Sequence, residues 1–296
     1  MTSKKWITLT AATVFAILCV NFAVAILMDP YGLFRDPRGR QLRVVFEGRK
    51  AKYLLSKRYV PANYDGLLIG PSSSENWDPA AISGVTMYND SVLGSNAYEE
   101  KRIVDQALPT GQFKLALCIL YPTMTSNHAL QDGLDAVTTV EALGSIHLFI
   151  NEVAQIFSAI HLPAGRLSAA DGTTPLRALP QNFVEIQYEA NYFQLDPVAV
   201  DSYRQMVHEL TSRGTRVVYI IPPLYDPCLR LNAVAFDAYK RRVQQLLPQA
   251  PVLDLDGREF DAFRKDANNY LDCVHVNAKG AAKIDTYLAQ LIPRIS

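Results

Sequence analysis

The chain has 296 residues, 49% of them hydrophobic, and its 29 basic and 29 acidic side chains leave no formal net charge. That balance gives no reason to expect nucleic acid as a partner, and the length suits one large α/β domain with a small appendage. The four cysteines lack zinc-type spacing and there is no His-Glu-x-x-His helix, so neither a metal nor another cofactor is implied.

The first element is a membrane segment. Trp6 to Met28 carries no charge, and Asn21 is its only strongly polar side chain. At about 1.5 Å per residue such a run crosses a hydrocarbon core of about 30 Å. A cleaved signal peptide is the alternative, since Lys4 and Lys5 form a basic start, but the run is long and no small-x-small cleavage site follows it. Arg35, Arg38, Arg40 and Arg43 come after the span, and the positive-inside rule would then place the body in the cytoplasm.

Residues 29–60 read as a basic, turn-rich connector opening on Asp29-Pro30-Tyr31-Gly32, in its plainest form a stalk meeting lipid headgroups. From residue 61 to 296 short apolar runs alternate with helical patterns, which predicts a flavodoxin-like parallel sheet of about five strands sandwiched by helices. The strands are expected at Gly66–Gly70, around Val85–Tyr88, and at Lys114–Leu120, Arg216–Ile221 and Val252–Leu255. Rich in Val, Ile and Leu without polar alternation, they suit burial on both faces. Helices are expected at Ala97–Ala107, Ala136–Ile160, Pro197–Ser212, Ala233–Leu247 and Ala278–Leu291, with an insertion at about 121–195 that includes a Gly- and Pro-bearing stretch, Leu162–Pro180.

Two short segments about two hundred residues apart carry the chemistry. In Asp65-Gly-Leu-Leu-Ile-Gly70-Pro71-Ser72-Ser73-Ser74-Glu75-Asn76-Trp77 an apolar strand delivers a serine onto an expected helix start. There free N–H groups and the dipole favour negative charge. In Tyr270-Leu-Asp272-Cys273-Val-His275-Val-Asn277 a carboxylate and a histidine stand three apart, before the last helix. A serine becomes a useful nucleophile when a histidine takes its proton and a carboxylate fixes that histidine's tautomer. The plainer readings are that the serine run is a helix cap, with Ser-Ser-Ser-Glu as a capping box, and that Asp272 and His275 are ordinary polar loop residues. The other histidines, at 128, 147, 161 and 208, lack a neighbouring carboxylate in a loop and read as packing or surface residues.

Both segments resemble the SGNH (GDSL-type) hydrolase superfamily. There a Gly-x-Ser after the first strand supplies the nucleophile, and Asp-x-x-His near the C-terminus supplies the base and its partner. Gly70-Pro71-Ser72 and Asp272-Cys273-Val274-His275 match these blocks, with proline where many members have aspartate. The resemblance implies an oxyanion hole formed by the backbone N–H groups of Ser72 and Gly94, the latter in Val92-Leu93-Gly94-Ser95-Asn96. A Gly-x-Asn-Asp block is not found after the third strand, which runs on as Leu120-Tyr121-Pro122-Thr123. The likeness is closer to membrane-tethered relatives whose first block reads Gly-Thr-Ser-x-Thr-Glu-Asn-Phe, against Gly70-Pro-Ser-Ser-Ser-Glu75-Asn76-Trp77 here. Those relatives share an Asp-Pro-Tyr-type motif after the membrane helix. They often act beside a membrane-bound O-acyltransferase, moving acyl groups onto a cell-surface polymer.

The resemblance therefore implies a membrane-anchored serine acyltransferase or esterase on the outer side of the cytoplasmic membrane. A cell-surface glycan or an acylated small molecule would be its substrate, the lipid bilayer its support and an O-acyltransferase a potential partner. A non-catalytic accessory subunit and a lipid esterase are the alternatives. Glu75 and Asn76 either buttress the nucleophile turn or form the polar first turn of a helix. Cys19, in the apolar segment, and Cys118, in a strand, read as packing residues. Cys228 and Cys273 lie on loops at the presumed site edge, either as a disulfide in an oxidising compartment or as two free thiols.

Overall fold

Five short apolar runs become one parallel sheet in the computed structural model, which describes residues 3–44, 48–126, 134–135, 137–139, 149–150, 153–154, 156–157, 168–176, 183 and 192–295. The strands are β1 (Gly66–Ile69), β2 (Met87–Asn89), β3 (Leu115–Ile119), β4 (Arg216–Ile221) and β5 (Val252–Asp254), ordered β2-β1-β3-β4-β5. This is the flavodoxin-like order, in which the strand order reverses between β1 and β3, the point at which open parallel sheets leave a crevice beyond the carboxyl ends of the strands. The register pairs Leu67 with both Tyr88 and Ala116, Leu117 with Val218, and Ile220 with Leu253. Leu67, Leu68, Ile69, Ala116, Leu117, Val218 and Ile220 are fully buried, so both faces of the central strands are covered and water offers them no competing hydrogen bonds. The second strand starts at Met87, and just before it the Thr86 carbonyl accepts from the N–H groups of Asp65 and Gly66.

The helices Ala97–Ala107 and Pro197–Ser212 pack against one another, and each is started by an acidic or amide cap. Asn96 accepts from Glu99 N–H in a capping box, and the Asp196 carboxylate accepts from Val198 and Ala199 N–H. The last helix, Ala278–Leu291, is capped by Asn277 accepting from Gly280 N–H at 3.0 Å. The expected helix at Ala136–Ile160 and the Leu162–Pro180 stretch lie largely outside the described residues.

Residues 29–60, expected as a connector, contribute to the body. They form helices at Gly48–Ser56 and, running past the connector, Tyr59–Asn63, and they bury Tyr31, Leu42, Val44, Leu54, Leu55 and Tyr59. The first of these helices packs on Ala97–Ala107 and buries Ala51, Tyr53, Leu54 and Leu55 together with Lys52. Before it, the helix Ser3–Met28 is long and apolar enough to cross a membrane and is exposed along nearly all of its length. It ends at Asp29, a non-glycine residue with φ +46°. The carboxylate of Asp29 accepts from Leu33, Phe34 and Arg35 N–H at 2.6–3.2 Å and pairs with Arg40 at 2.9 Å. The Arg35 guanidinium turns back to the last helical carbonyls, of Leu27 and Met28. These bonds offset a left-handed conformation that ordinarily costs about 1–2 kcal/mol, and they join the apolar helix to the body.

Candidate active site

β1 ends against a point where only glycine fits. A Cβ on Gly70 would lie 2.4 Å from Ile119 Cγ1 and 2.7 Å from Ser74 Oγ, so the chain leaves the sheet in close contact with β3. Pro71 is extended and pairs with Val92, and Ser72 opens a single 3₁₀ turn, Ser72–Ser74. The expected helix at Ser72 does not form. The chain makes only the one turn, and by Asp78, the residue before Pro79, it is extended (φ −112°, ψ 93°). No capping box forms either, and Pro71 precedes the turn without a side-chain cap. Whatever stabilises negative charge here must therefore come from local N–H groups rather than from a helix dipole.

The three serines face different ways. Ser73 and Ser74 are buried, and the Ser74 hydroxyl bonds the Pro71 carbonyl (3.1 Å) and Ser91 Oγ (2.8 Å). Ser72 is half-buried, and its Oγ lies 2.8 Å from Nε2 of His275, 203 positions along the chain. His275 Nδ1 lies 2.7 Å from Asp272 Oδ2. A carboxylate can only accept, so the neutral ring carries its proton on Nδ1 and presents Nε2 as acceptor to the serine hydroxyl. The local fold of Asp-x-x-His explains the pairing. Asp272 Oδ1 accepts from the backbone N–H of Val274 (2.8 Å) and of His275 (2.7 Å), which curls the loop until the imidazole meets the other carboxylate oxygen. Burial alone would raise the Asp272 carboxyl, but the hydrogen bond and charge of His275, with the two N–H groups, outweigh it and hold it below the usual range. A Tyr270–Val276 bridge closes the loop at its base, and Asn76 Nδ2 donates to the Val276 carbonyl at 2.8 Å, joining loop to nucleophile turn.

Cys228 and Cys273 form a disulfide with Cα atoms 5.7 Å apart, and Tyr225 N–H donates to the Cys273 carbonyl at 3.1 Å. The loop after β4 is thus fastened to the loop that carries Asp272 and His275. Cys118 is buried in β3, and burial raises its thiol well above the usual range. Gly94 adopts φ +63°, a conformation that favours glycine, two residues after the Val92 that pairs with Pro71. Its carbonyl accepts from Arg49 Nη2 at 3.0 Å, while Arg49 Nε pairs with Glu99 at 2.5 Å.

Of what lies beneath the turn, sequence reasoning singled out Glu75 and missed Asn89, Asp90, Glu100 and Lys52. Glu75 is fully buried, as are Asn89, Asp90 and Glu100, and Lys52 is nearly so. Burial raises the carboxyls of Glu75 and Asp90 to about 7, against the opposing charge of Lys52. The same burial lowers Lys52, while the Asp90, Glu75 and Glu100 carboxylates oppose that shift. The only available signal was the polar triplet Asn89-Asp90-Ser91 at a strand end, where apolar residues are the norm. Among the described residues no cluster of three or more His, Cys, Asp and Glu side chains could hold a metal ion.

No family model matches the chain, and no curated protein matches it. Among solved structures it is similar to one described provisionally as a platelet activating factor from Streptococcus pneumonia, at 12% identity and a TM-score of 0.44, over 81% of this chain and 90% of that one.

Proposed function

We propose that the chain is a membrane-anchored serine acyltransferase or esterase of the SGNH type, acting through an acyl-enzyme on Ser72. One observation carries this reading: the unbroken Ser72–His275–Asp272 relay, at 2.8 and 2.7 Å, assembled from opposite ends of the domain. His275 Nε2 takes the hydroxyl proton as Ser72 Oγ attacks an ester carbonyl. The imidazolium formed is held by Asp272 and returns the proton to the departing alcohol. Water or an acceptor hydroxyl then attacks the acyl-enzyme, with His275 again as base. The Ser72 and Gly94 N–H groups are the proposed oxyanion donors, since the Pro71–Val92 pairing sets the two loops side by side. One such donor is worth about 3 kcal/mol of transition-state stabilisation.

The O-acyl group of a surface glycan is the substrate class favoured by the tethered resemblance. A body outside the cytoplasmic membrane is supported by the Cys228–Cys273 disulfide, which needs an oxidising compartment. Two of the arginines that would argue for the opposite side, Arg35 and Arg40, are engaged by the helix end and by Asp29. A fluorophosphonate probe applied to the full chain in its membrane tests the reading. Labelling should be lost in Ser72→Ala and kept in Ser73→Ala and Ser74→Ala. Full labelling of Ser72→Ala would remove this serine from the mechanism, and a wild-type chain that never labels would favour the accessory-subunit reading.

A further inference from the structure

The nucleophile turn is poorly held by its own hydrogen bonds. Ser74, Glu75 and Trp77 N–H reach back to Pro71, Ser72 and Ser74 at 3.1–3.3 Å, and the turn goes no further. The carbonyls of Ser74, Glu75 and Trp77 converge on the Asn89 amide, while Thr174 N–H also donates to the Glu75 carbonyl at 2.8 Å and Thr173 Oγ1 to the Trp77 carbonyl at 3.3 Å. Asn89 Nδ2 donates to the carbonyls of Ser74 (2.8 Å), Glu75 (3.2 Å) and Trp77 (2.8 Å), the longest bond being the shared one because an amide has two hydrogens. Asn89 Oδ1 accepts from Ser91 N–H at 3.0 Å, so the amide is committed at both ends and its orientation is fixed.

Asn89 is itself clamped. It is the last residue of β2, in register with Leu68 of β1, which places it beside the strand that leads to Ser72. Its N–H donates to the Asp171 carbonyl at 2.7 Å. Its carbonyl accepts from Lys52 Nζ at 2.6 Å, and the same ammonium bonds the Gly172 carbonyl at 3.1 Å. Gly172 (φ +83°) presses so closely that a Cβ there would lie 2.2 Å from the Asn89 oxygen.

We infer that Asn89 is a positioning residue for the nucleophile turn and that Lys52 holds Asn89 in place. A displacement of about 1 Å at a reacting group can cost on the order of a hundredfold in rate, and among the described residues the Asn89 amide is the side chain that bonds carbonyls across the turn from Ser74 to Trp77. The rate consequence rests on the proposed serine chemistry; the holding of the turn does not.

The test uses the full chain in detergent micelles, wild type against Asn89→Ala, with two readouts. The first is fluorophosphonate labelling of Ser72, resolved into a maximal rate and a half-saturating concentration. The maximal rate should fall about a hundredfold with the concentration unchanged. The second is amide hydrogen exchange, which should quicken at least tenfold over residues 72–77 while β3 and β4 keep their protection. Asn89→Ser, which keeps one donor, should give an intermediate loss of about tenfold and serves if the alanine variant does not fold. Unchanged exchange over 72–77, or equal acceleration throughout the sheet, would overturn the inference whether or not the probe reacts. A labelled wild type with an equally reactive, folded Asn89 variant would overturn it too. A wild type that never labels would count against the serine chemistry alone, and exchange would still decide the role of Asn89.

Discussion

Removing the Cys228–Cys273 bond, by replacing both cysteines with serine, should cost the folded state a large part of its stability. The two residues are 45 positions apart, and closing a loop of that length removes chain entropy from the unfolded state worth about 4 kcal/mol at 25 °C. For a domain of about 250 residues each kcal/mol moves the midpoint by about 2–4 °C, so the variant should melt about 8–16 °C lower. Both cysteines are almost wholly buried, which makes reductant a slow reagent in the native state and the double variant the cleaner perturbation. Thermal unfolding followed by intrinsic fluorescence, on the full chain in detergent, reads the shift. The closed loop contains β5 and ends next to Asp272, so acyl transfer should also decline at temperatures where the variant is still folded. A drop of under about 2 °C would refute the reasoning, because the unfolded chain would then gain little freedom from losing the bond.

Asp272→Asn should lower kcat by about ten-thousandfold with little change in KM, as in serine-protease triads, because the amide turns the wrong tautomer of His275 toward Ser72; an esterase assay with a nitrophenyl acyl ester checks it. Acid should weaken the fold through Asp272: its carboxyl is depressed when folded, so its contribution is present above the usual carboxylate range and disappears as pH falls through the lower folded value. Glu75 and Asp90 act in the opposite sense. Raised to about 7, they hold protons that the unfolded chain has released, so stability should fall as pH climbs from about 4.5 to about 7. Glu75→Gln should soften that decline in Tm, and a slope as steep as that of the wild type would contradict it. Protease added to intact spheroplasts should digest the body, whereas protection until the membrane is lysed would place it in the cytoplasm.

The sheet was legible because strands buried on both faces must be apolar throughout, and Leu67–Ile69 or Val217–Ile221 could be little else. The Ser72, Asp272 and His275 segments were visible for a different reason, since Asp-x-x-His is a local motif whose own backbone makes the bend. What stayed hidden depends on distant partners. Lys52 reads as one more cation in a basic connector until Asn89 and Gly172, 37 and 120 positions away, surround its ammonium. The same applies to the helix Gly48–Ser56, whose apolar face means little before Ala97–Ala107 lies against it. The helix expected at Ser72 is instead a single 3₁₀ turn, Ser72–Ser74.

If the apolar helix anchors the chain as proposed, the bonds gathered around Asp29 have a mechanical meaning. A loose tether would let the body swing through a broad volume and meet substrates at many heights. Here the turn after the apolar helix is gripped by one carboxylate, and Arg35 reaches back to the helix end, so rotation of the helix is passed on to the body. Adding one residue within Ser3–Met28 would lift the body about 1.5 Å and turn it about 100° around the helix axis. Ser72 would then face a different quarter of the membrane plane. Under the proposed function, helix length and phase would become part of the aim of the site, and a protein handing over an acyl group would have to stand at one bearing.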